Sequence, residues 1–266
     1  MLSSSDGGEC NLRVPPGCRA GGRPKGTELP MEPSLPRAIE LIRLGRVSYS
    51  RARSLQERLY REIRSGDRRR GAILLLEHPD TITVGRMPGA ERNVLAGEEE
   101  LRRLGVELVR ADRGGDVTWH GPGQLVAYPI IPLRDYLKDV GWYLRTLERA
   151  GIEVCRSFGV RAFTVPGRTG VWTDRGKVMA IGVGVGGWVT YHGLALNCET
   201  DLGRYGLIVP CGLDDRRVTS LTELAGRRIT VDDAAPRLAA ALCDALGAEP
   251  VLPVMEPAVP AGEVPA

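Results

Sequence analysis

The side chains with the most chemical potential in this chain fall in four short segments, each containing glycine. Residues 113–124 read RGGDVTWHGPGQ, with four glycines and a proline framing Arg113, Thr118, Trp119, His120 and Gln124. Paired glycines let backbone N–H groups approach a ligand closely, and a turn of successive N–H groups can cradle an oxyanion. The same stretch also fits a plain β-turn between two strands, with His120 capping it. Residues 176–182, GKVMAIG, place Lys177 at the opening of an apolar strand, where a lone lysine reads first as a strand-end residue reaching into water. Residues 191–197, YHGLALN, put a His-Gly step at a strand entry, and a buried, hydrogen-bonded core histidine is the plain reading of His192. Residues 208–212, IVPCG, hold Cys211 in a sharp turn between a proline and a glycine.

Cysteine is the strongest nucleophile among these residue types. The six are Cys10, Cys18, Cys155, Cys198, Cys211 and Cys243. Cys155 and Cys243 fall in helical patterns and read as small hydrophobes, while Cys10 and Cys18 lie in a polar N-terminal stretch. Cys211 is held on rigid backbone outside any helix face, so it is read as the nucleophile, with Cys198 as its rival. None of the six forms a CxxC pair and no ligand spacing resembles a zinc site. The reading therefore includes no metal and no cofactor. Gly182, Gly184 and Gly187 match GxGxxG, but that fingerprint needs a helix after the glycines. Here the β-rich WVTYHGLALN follows, so the glycines mark a hairpin.

The elements that must position these residues follow from periodicity. Ala52, Leu55, Leu59 and Ile63 recur at helical spacing, predicting an amphipathic helix over residues 48–65. GAILLLE at 71–77 is a short apolar run and reads as a buried strand, with 81–84 pairing nearby. A short helix is expected at 98–104 and a strand at 106–111. QLVAYPII at 124–131 is β-rich until Pro132, and 135–157 reads as helical, weakened at Gly141 and Gly151. Runs at 170–174, 177–185 and 188–196 form a meander, and a final helix spans about 231–246. This order lacks regular βαβα alternation, so an α+β fold with a mixed, largely antiparallel sheet flanked by helices is expected.

Composition narrows the class. The 266 residues carry 42% hydrophobic and 26% charged side chains and a net charge of +3, ordinary for a globular protein. The basic runs, such as Arg68-Arg69-Arg70, read as solvated surface rather than a nucleic-acid stripe, although a modest basic face would suit an acidic carrier protein. No apolar run approaches the roughly 18–20 residues that cross a bilayer, and no secretory signal opens the chain. A cytoplasmic protein with reduced thiols and neither a nucleic-acid nor a membrane partner is expected. Residues 1–34 read as a disordered tail, or as sequence upstream of a start at Met31. Residues 35–247 read as one catalytic domain, and 248–266 as a flexible Pro/Ala-rich tail.

Taken in order, the RGG…TWHGPGQ loop, the lysine before A-I-G, the H-G-L-A-L-N strand and P-C-G resemble the lipoyl(octanoyl) transferase family. LLLEHPDTITVGR at 74–86 matches as well, so the resemblance spans residues 37–246. It implies a biotin/lipoate protein ligase-like (class II synthetase-like) fold and transfer of an octanoyl group from octanoyl-acyl carrier protein. The acceptor it implies is a lysine of the lipoyl domains of 2-oxoacid dehydrogenases or of the glycine cleavage carrier protein. Cys211 would form an acyl-thioester, with Lys177 as its partner. A free thiol has a pKa of about 8.5, and a nearby ammonium favours the thiolate. Arg113, Gly114, Gly115, Asp116, Val117, Thr118, Trp119 and His120 would form one substrate wall. Ala180, Ile181, Gly182, Gly193, Leu194 and Ala195 would line the acyl chain, the small ones leaving it room. His78, His192 and Gln124 would support. Family members carry basic residues where this chain has Gly184 to Gly187, which bears on carrier-protein affinity. Rival readings are an ATP-dependent lipoate or biotin protein ligase, a lipoyl amidotransferase, and a non-catalytic acyl-binding module.

Overall fold

The run GAILLLE can be satisfied only where both faces of a strand are covered, and this is where the structure puts it. In this computed structural model, which describes residues 37–210 and 217–251, Gly71–Glu77 is β2, buried over its first six residues. It lies inside a sheet built from β1 (Arg37–Arg46), β6 (Gln124–Ile130), β7 (Phe163–Val165), β8 (Arg168–Thr173), β9 (Gly176–Gly186), β10 (Val189–Asn197) and β11 (Ala248–Val251). The spatial order is β11-β1-β2-β6-β10-β9-β8-β7. The β1 pairs with β2 and β11 are parallel and the rest antiparallel, giving the expected mixed sheet. Side chains alternate along β2: Ala72, Leu74 and Leu76 pack under α1 (Tyr49–Ser65) with Ala52, Leu59 and Ile63. Ile73 and Leu75 face α3 (Val140–Ser157) and α5 (Val231–Leu246) on the other side. Period two in the strands and 3.6 in the helices thus meet in two separate cores.

A second sheet carries β3 (Thr81–Val84) between β4 (Glu107–Arg110) and β5 (Val117–His120), with α2 (Glu98–Leu104) beside it. Its core holds Ile82, Val84, Val117, Trp119 and Ile208. The short helix α4 (Leu221–Ala225) precedes α5, whose start is fixed by a capping box between Thr230 and Asp233.

Three expectations change. Residues 117–120, read as part of a loop, are a strand, because the glycines end on either side of four residues that pair with β3. Residues 248–251, assigned to the tail, pair in parallel with β1 instead. β1 itself was not anticipated, its apolar residues being interleaved with three arginines and broken by a bulge between Arg43 and Gly45. The glycine-rich hairpin reading corresponds to β9 and β10, joined through Gly187 and Trp188 in the left-handed region. The stretch 1–34 lies outside the described residues, as does Cys211.

Proline in an inner strand removes a ladder donor, and Pro129 of β6 faces that problem beside β10. The β6–β10 ladder runs from Asn197↔Gln124 to Leu194↔Ala127 and stops. Past it, the buried Thr190 hydroxyl donates to Pro129 O at 2.7 Å and accepts from Ile131 N–H at 3.0 Å. This hydroxyl bridges the gap that the ladder leaves. Thr190→Val keeps the shape, strands the buried Ile131 N–H and leaves Pro129 O with only the Tyr143 hydroxyl at 3.4 Å, so urea unfolding should show a loss of roughly 1–3 kcal/mol. Thr190→Ser should lose less, and a valine variant of wild-type stability would show that the bridge is dispensable.

Candidate active site

Where β6 and β10 part company, a cleft of about 230 Å³ opens between the two sheets. One side comes from the large sheet: Lys177, Ala180, Ile181 and Gly182 of β9, with Gly193, Leu194 and Ala195 of β10. The other comes from the RGG segment and β5: Arg113, Gly115, Asp116, Val117, Thr118 and His120. Tyr49, Thr83, Tyr128 and His192 complete its polar floor. Met87 and the turn Gly167, Arg168 and Thr169 also line it, so thirteen of the twenty-one lining residues are wall or catalytic residues expected from the sequence, His192 is an expected supporting residue, and the other seven, Tyr49, Thr83 and Tyr128 among them, were not singled out. The structure therefore brings the two expected walls together.

Trp119 departs from the expected wall. It is 1% exposed, packs in the small-sheet core against Tyr205, and donates its indole N–H to Asp80 at 3.2 Å. Strand alternation explains this: Thr118 and His120 face the cleft, so Trp119 faces away. Gly114 is not part of the lining either, and its N–H donates to Val183 O at 2.8 Å. The Gly123 N–H donates to Glu77 Oε2 at 2.7 Å. The N–H groups of Gly114 and Gly123 are thus spent on the fold rather than on an oxyanion cradle.

The glycines on the acyl side also have another purpose. A Cβ on Gly182 would meet Arg113 Cδ at 2.9 Å, and one on Gly193 would run into Ala127 O. The two residues pair across β9 and β10, and they let Arg113 and β6 pack close. In the cleft lining itself, the small side chains facing the space are those of Ala180 and Ala195. Gly184 and Gly186 are covered by the Tyr191 ring and the Tyr60 hydroxyl, and Gly187 approaches Arg64.

Arg113 is 8% exposed, and a buried guanidinium must be hydrogen-bonded. It donates to Thr83 O at 2.8 Å, to Thr83 Oγ1 at 2.9 and 3.3 Å, and to Gly114 O at 3.1 Å. With Thr83 Oγ1 accepting twice, its hydrogen is free for His120 Nε2, 3.4 Å away. Farther along, Asn197 Nδ2 donates to Thr219 O, leaving Asn197 Oδ1 to accept from Gln124 Nε2; each distance is 3.0 Å. Gln124 Oε1 then faces His120 Nδ1 at 2.8 Å, so Nδ1 carries the proton. Thr219 N–H donates to Lys177 O at 3.0 Å, closing the chain at the opposite wall.

His120 and His192 line this cleft, and His78, the third histidine of the sequence, lies behind Tyr128. His78 donates from Nδ1 to Val47 O at 2.9 Å and accepts at Nε2 from the Tyr128 hydroxyl at 2.8 Å. Burial pulls its pKa down to about 4 and that of His120 to about 3, where nearby His78 adds to the shift. His192 is lowered by burial against the opposing pull of Asp112. Burial also pushes the Tyr49 hydroxyl up to about 12 and Tyr128 well above its usual range.

Lys177 is 8% exposed rather than projecting into water, with Nζ 4.6 Å from the centroid of Trp172. Its N–H donates to Arg217 O at 3.0 Å, and Val218 bridges to it in parallel. Cys198, the rival nucleophile, is fully buried, with its thiol pushed strongly up by burial. Cys155 and Cys243 are raised to about 12 and about 11 for the same reason. Among the described residues, no His/Cys/Asp/Glu cluster could hold a metal ion, and no helix is long and apolar enough to cross a membrane.

Comparison with known proteins gives a consistent picture. Residues 48–243 match the lipoyl protein ligase A/B catalytic domain family. The octanoyltransferase of Solibacter usitatus is 47% identical over 201 residues, covering 74% of this chain and 88% of that one. The mitochondrial octanoyl-[acyl-carrier-protein]:protein N-octanoyltransferase of Xenopus tropicalis is 47% identical over 200 residues, covering 73% and 82%. Among solved structures, a lipoate-protein ligase A bound with ATP superposes with a TM-score of 0.66 at 18% identity, covering 80% and 88%. At that identity the likeness establishes the fold alone.

The buried neutral histidines set an acid limit on the fold. In the unfolded chain they titrate near 6.5, while His78 and His120 in the folded chain resist protonation down to about 4 and about 3. Below about pH 6.5 the unfolded state therefore binds more protons, and stability falls as the pH drops toward those folded values. The His78 shift alone corresponds to about 3 kcal/mol. Urea midpoints measured from neutral to mildly acidic pH should fall steadily, and less steeply in His78→Gln. A flat wild-type profile would contradict the buried neutral state.

Proposed function

The chain belongs to the lipoyl protein ligase A/B catalytic family and to its octanoyltransferases, and from that premise we propose that Cys211 carries the acyl group between donor and acceptor. The activity is octanoyl transfer in protein lipoylation, which makes the chain an acyltransferase. The donor is octanoyl-acyl carrier protein and the acceptor is the lysine of a lipoyl domain. In this reading the acceptors include the 2-oxoacid dehydrogenases and the glycine cleavage carrier protein.

In the first step the Cys211 thiolate attacks the donor's thioester carbonyl, and the carrier's thiol leaves with a proton. In the second, the acceptor's ε-amine attacks the enzyme thioester, the C–N bond forms, and the C–S bond breaks. One thioester replaces another and an amide is formed last, so no ATP is consumed. The observation that carries this reading is a buried Lys177 on the same wall of the cleft as the apolar residues of β9 and β10. A lysine there favours the thiolate of a neighbouring cysteine and can pass a proton to the leaving thiol. The described chain resumes six residues after Cys211 at Arg217, directly alongside Lys177. Ala180, Ile181, Leu194 and Ala195 offer an apolar surface, where each methylene buried contributes about 0.8 kcal/mol. Arg113, Asp116, Thr118 and His120 act as a polar wall facing the thioester end.

Intact-protein mass spectrometry after incubation with octanoyl-acyl carrier protein tests the intermediate. Wild type should gain one octanoyl group and Cys211→Ala none, while Lys177→Ala should load slower by on the order of 10²–10⁴-fold. A folded wild type that gains no mass would remove the cysteine route.

A further inference from the structure

The family reading uses a cysteine and a lysine, yet the most unusual backbone at the site belongs to neither. His192 lies in the middle of β10 with φ 55°, in the left-handed region. A non-glycine residue held there costs about 1–2 kcal/mol, and such strain concentrates at functional sites. Its backbone N–H donates to Gln56 Oε1 at 2.7 Å, and its Nε2 lies 2.7 Å from Asp112 Oδ1. A carboxylate only accepts, so Nε2 carries the proton and Nδ1 presents its lone pair. This is the opposite tautomer to that of His78 and His120.

That lone pair has no hydrogen-bond partner among the described residues. Nδ1 of His192, Nε2 of Gln56 and the hydroxyl of Tyr49 are buried side-chain atoms without a hydrogen bond among the described residues. The three side chains are 2%, 3% and 2% exposed. The Tyr49 ring stacks on His192 with centroids 6.5 Å apart and planes 13° from parallel. Buried polar atoms left unpaired are costly and call for an explanation, and here an acceptor and two donors gather around one imidazole.

His192 also stands between two spaces. It lines the cleft that holds Lys177, and it lines a second cavity of about 240 Å³ on its other side. There Asp112 provides a half-exposed carboxylate and Glu57 a second one paired with Arg53 at 3.0 Å, and Tyr60 and Tyr191 present aromatic rings whose hydroxyls accept from Arg64 and Arg86. Carboxylates and aromatic faces together suit an alkylammonium ion. Lipoylation brings such an ion to the site, because the acceptor lysine arrives protonated and is a nucleophile only after it loses a proton.

We propose that the second cavity admits the acceptor's lysine and that His192, backed by Asp112, removes the proton from its ammonium. The inference rests on the thioester reading above. Of the three ammonium protons, one passes to His192 Nδ1 and on to solvent. The neutral amine attacks the thioester carbon, the C–N bond forms, and the C–S electron pair returns to Cys211. The second proton reaches that thiolate through Lys177, and the third remains on the amide. Arg53, Arg113 and Asp112 face His192: burial above all keeps the imidazole neutral before the amine arrives, the two guanidiniums add to that effect, and Asp112 pulls the other way and stabilises the protonated ring.

The test separates the two half-reactions in the full-length enzyme. Wild type, His192→Gln and Asp112→Asn are loaded with octanoyl-acyl carrier protein, and the acyl-enzyme is then discharged by a lipoyl domain or by hydroxylamine. Hydroxylamine is already unprotonated at neutral pH. The expected result is a drop in transfer to the lipoyl domain on the order of 10²-fold for His192→Gln and about 10-fold for Asp112→Asn. Loading should suffer far less, and hydroxylamine should discharge all three proteins alike. If His192→Gln does not fold, the Asp112→Asn result decides, since that side chain is half-exposed. Unimpaired transfer in loaded variants, or a hydroxylamine rate that falls with the lipoyl-domain rate, would overturn the proposal. Failure of wild type itself to load would instead remove the thioester reading beneath it.

Discussion

A guanidinium taken out of water must have its hydrogens accepted, and the site is arranged around meeting that demand for Arg113. Its donors fix Thr83 of β3 and the Gly114 carbonyl, and its aliphatic stem lies against Gly182 of β9. One side chain thus locks the small sheet to the large one. Because Thr83 accepts from Arg113, it can donate to His120, and the order of donors and acceptors is then set through Gln124 and Asn197 to Thr219. The chain ends on the backbone of Lys177, on the far wall. Buried networks of this kind rigidify a site when every member is satisfied. His120 is therefore held neutral, in one tautomer and in one orientation, before any substrate arrives.

Beside the cleft, the regular pairing of two inner strands is interrupted. Pro129 has no N–H to offer, His192 has turned into the left-handed region, and the β6–β10 ladder ends at Leu194 and Ala127. Thr190 re-joins the strands beyond the gap. The apolar side chains of β9 and β10 thus line a space rather than a sheet interior, while the surrounding cores keep its walls rigid.

Much of this was legible in the sequence, for physical reasons that differ by element. GAILLLE and the heptad-like spacing of α1 each admit one burial pattern, so β2 and α1 lie where periodicity puts them. The same logic misses β1, with its interleaved arginines, and the four-residue β11 with its Pro250, because both are held by pairing rather than by their own pattern. Glycines were misread in purpose. Gly182 and Gly193 suggest room for a ligand, yet each gives way to a neighbouring part of the fold. Trp119 shows the limit of a motif: it lies in the expected loop, but strand alternation turns it inward. Tyr49, Gln56 and Asp112 carry no local signal at all, since Gln56 meets His192 across 136 positions of chain and Asp112 across 80.

Fold alone does not separate this enzyme from nucleotide-using relatives, since a lipoate-protein ligase bound with ATP shares it at a TM-score of 0.66. The proposed distinction rests on individual residues: a buried lysine alongside Arg217 and Val218, and histidines that burial keeps neutral. The most direct measurement is the time course of amide formation on a lipoyl domain, with octanoyl-acyl carrier protein as donor in a mixture depleted of ATP by apyrase. The account predicts complete transfer at a rate that added ATP and magnesium leave unchanged. Transfer that stalls without ATP, and resumes with free octanoate when ATP is restored, would contradict it.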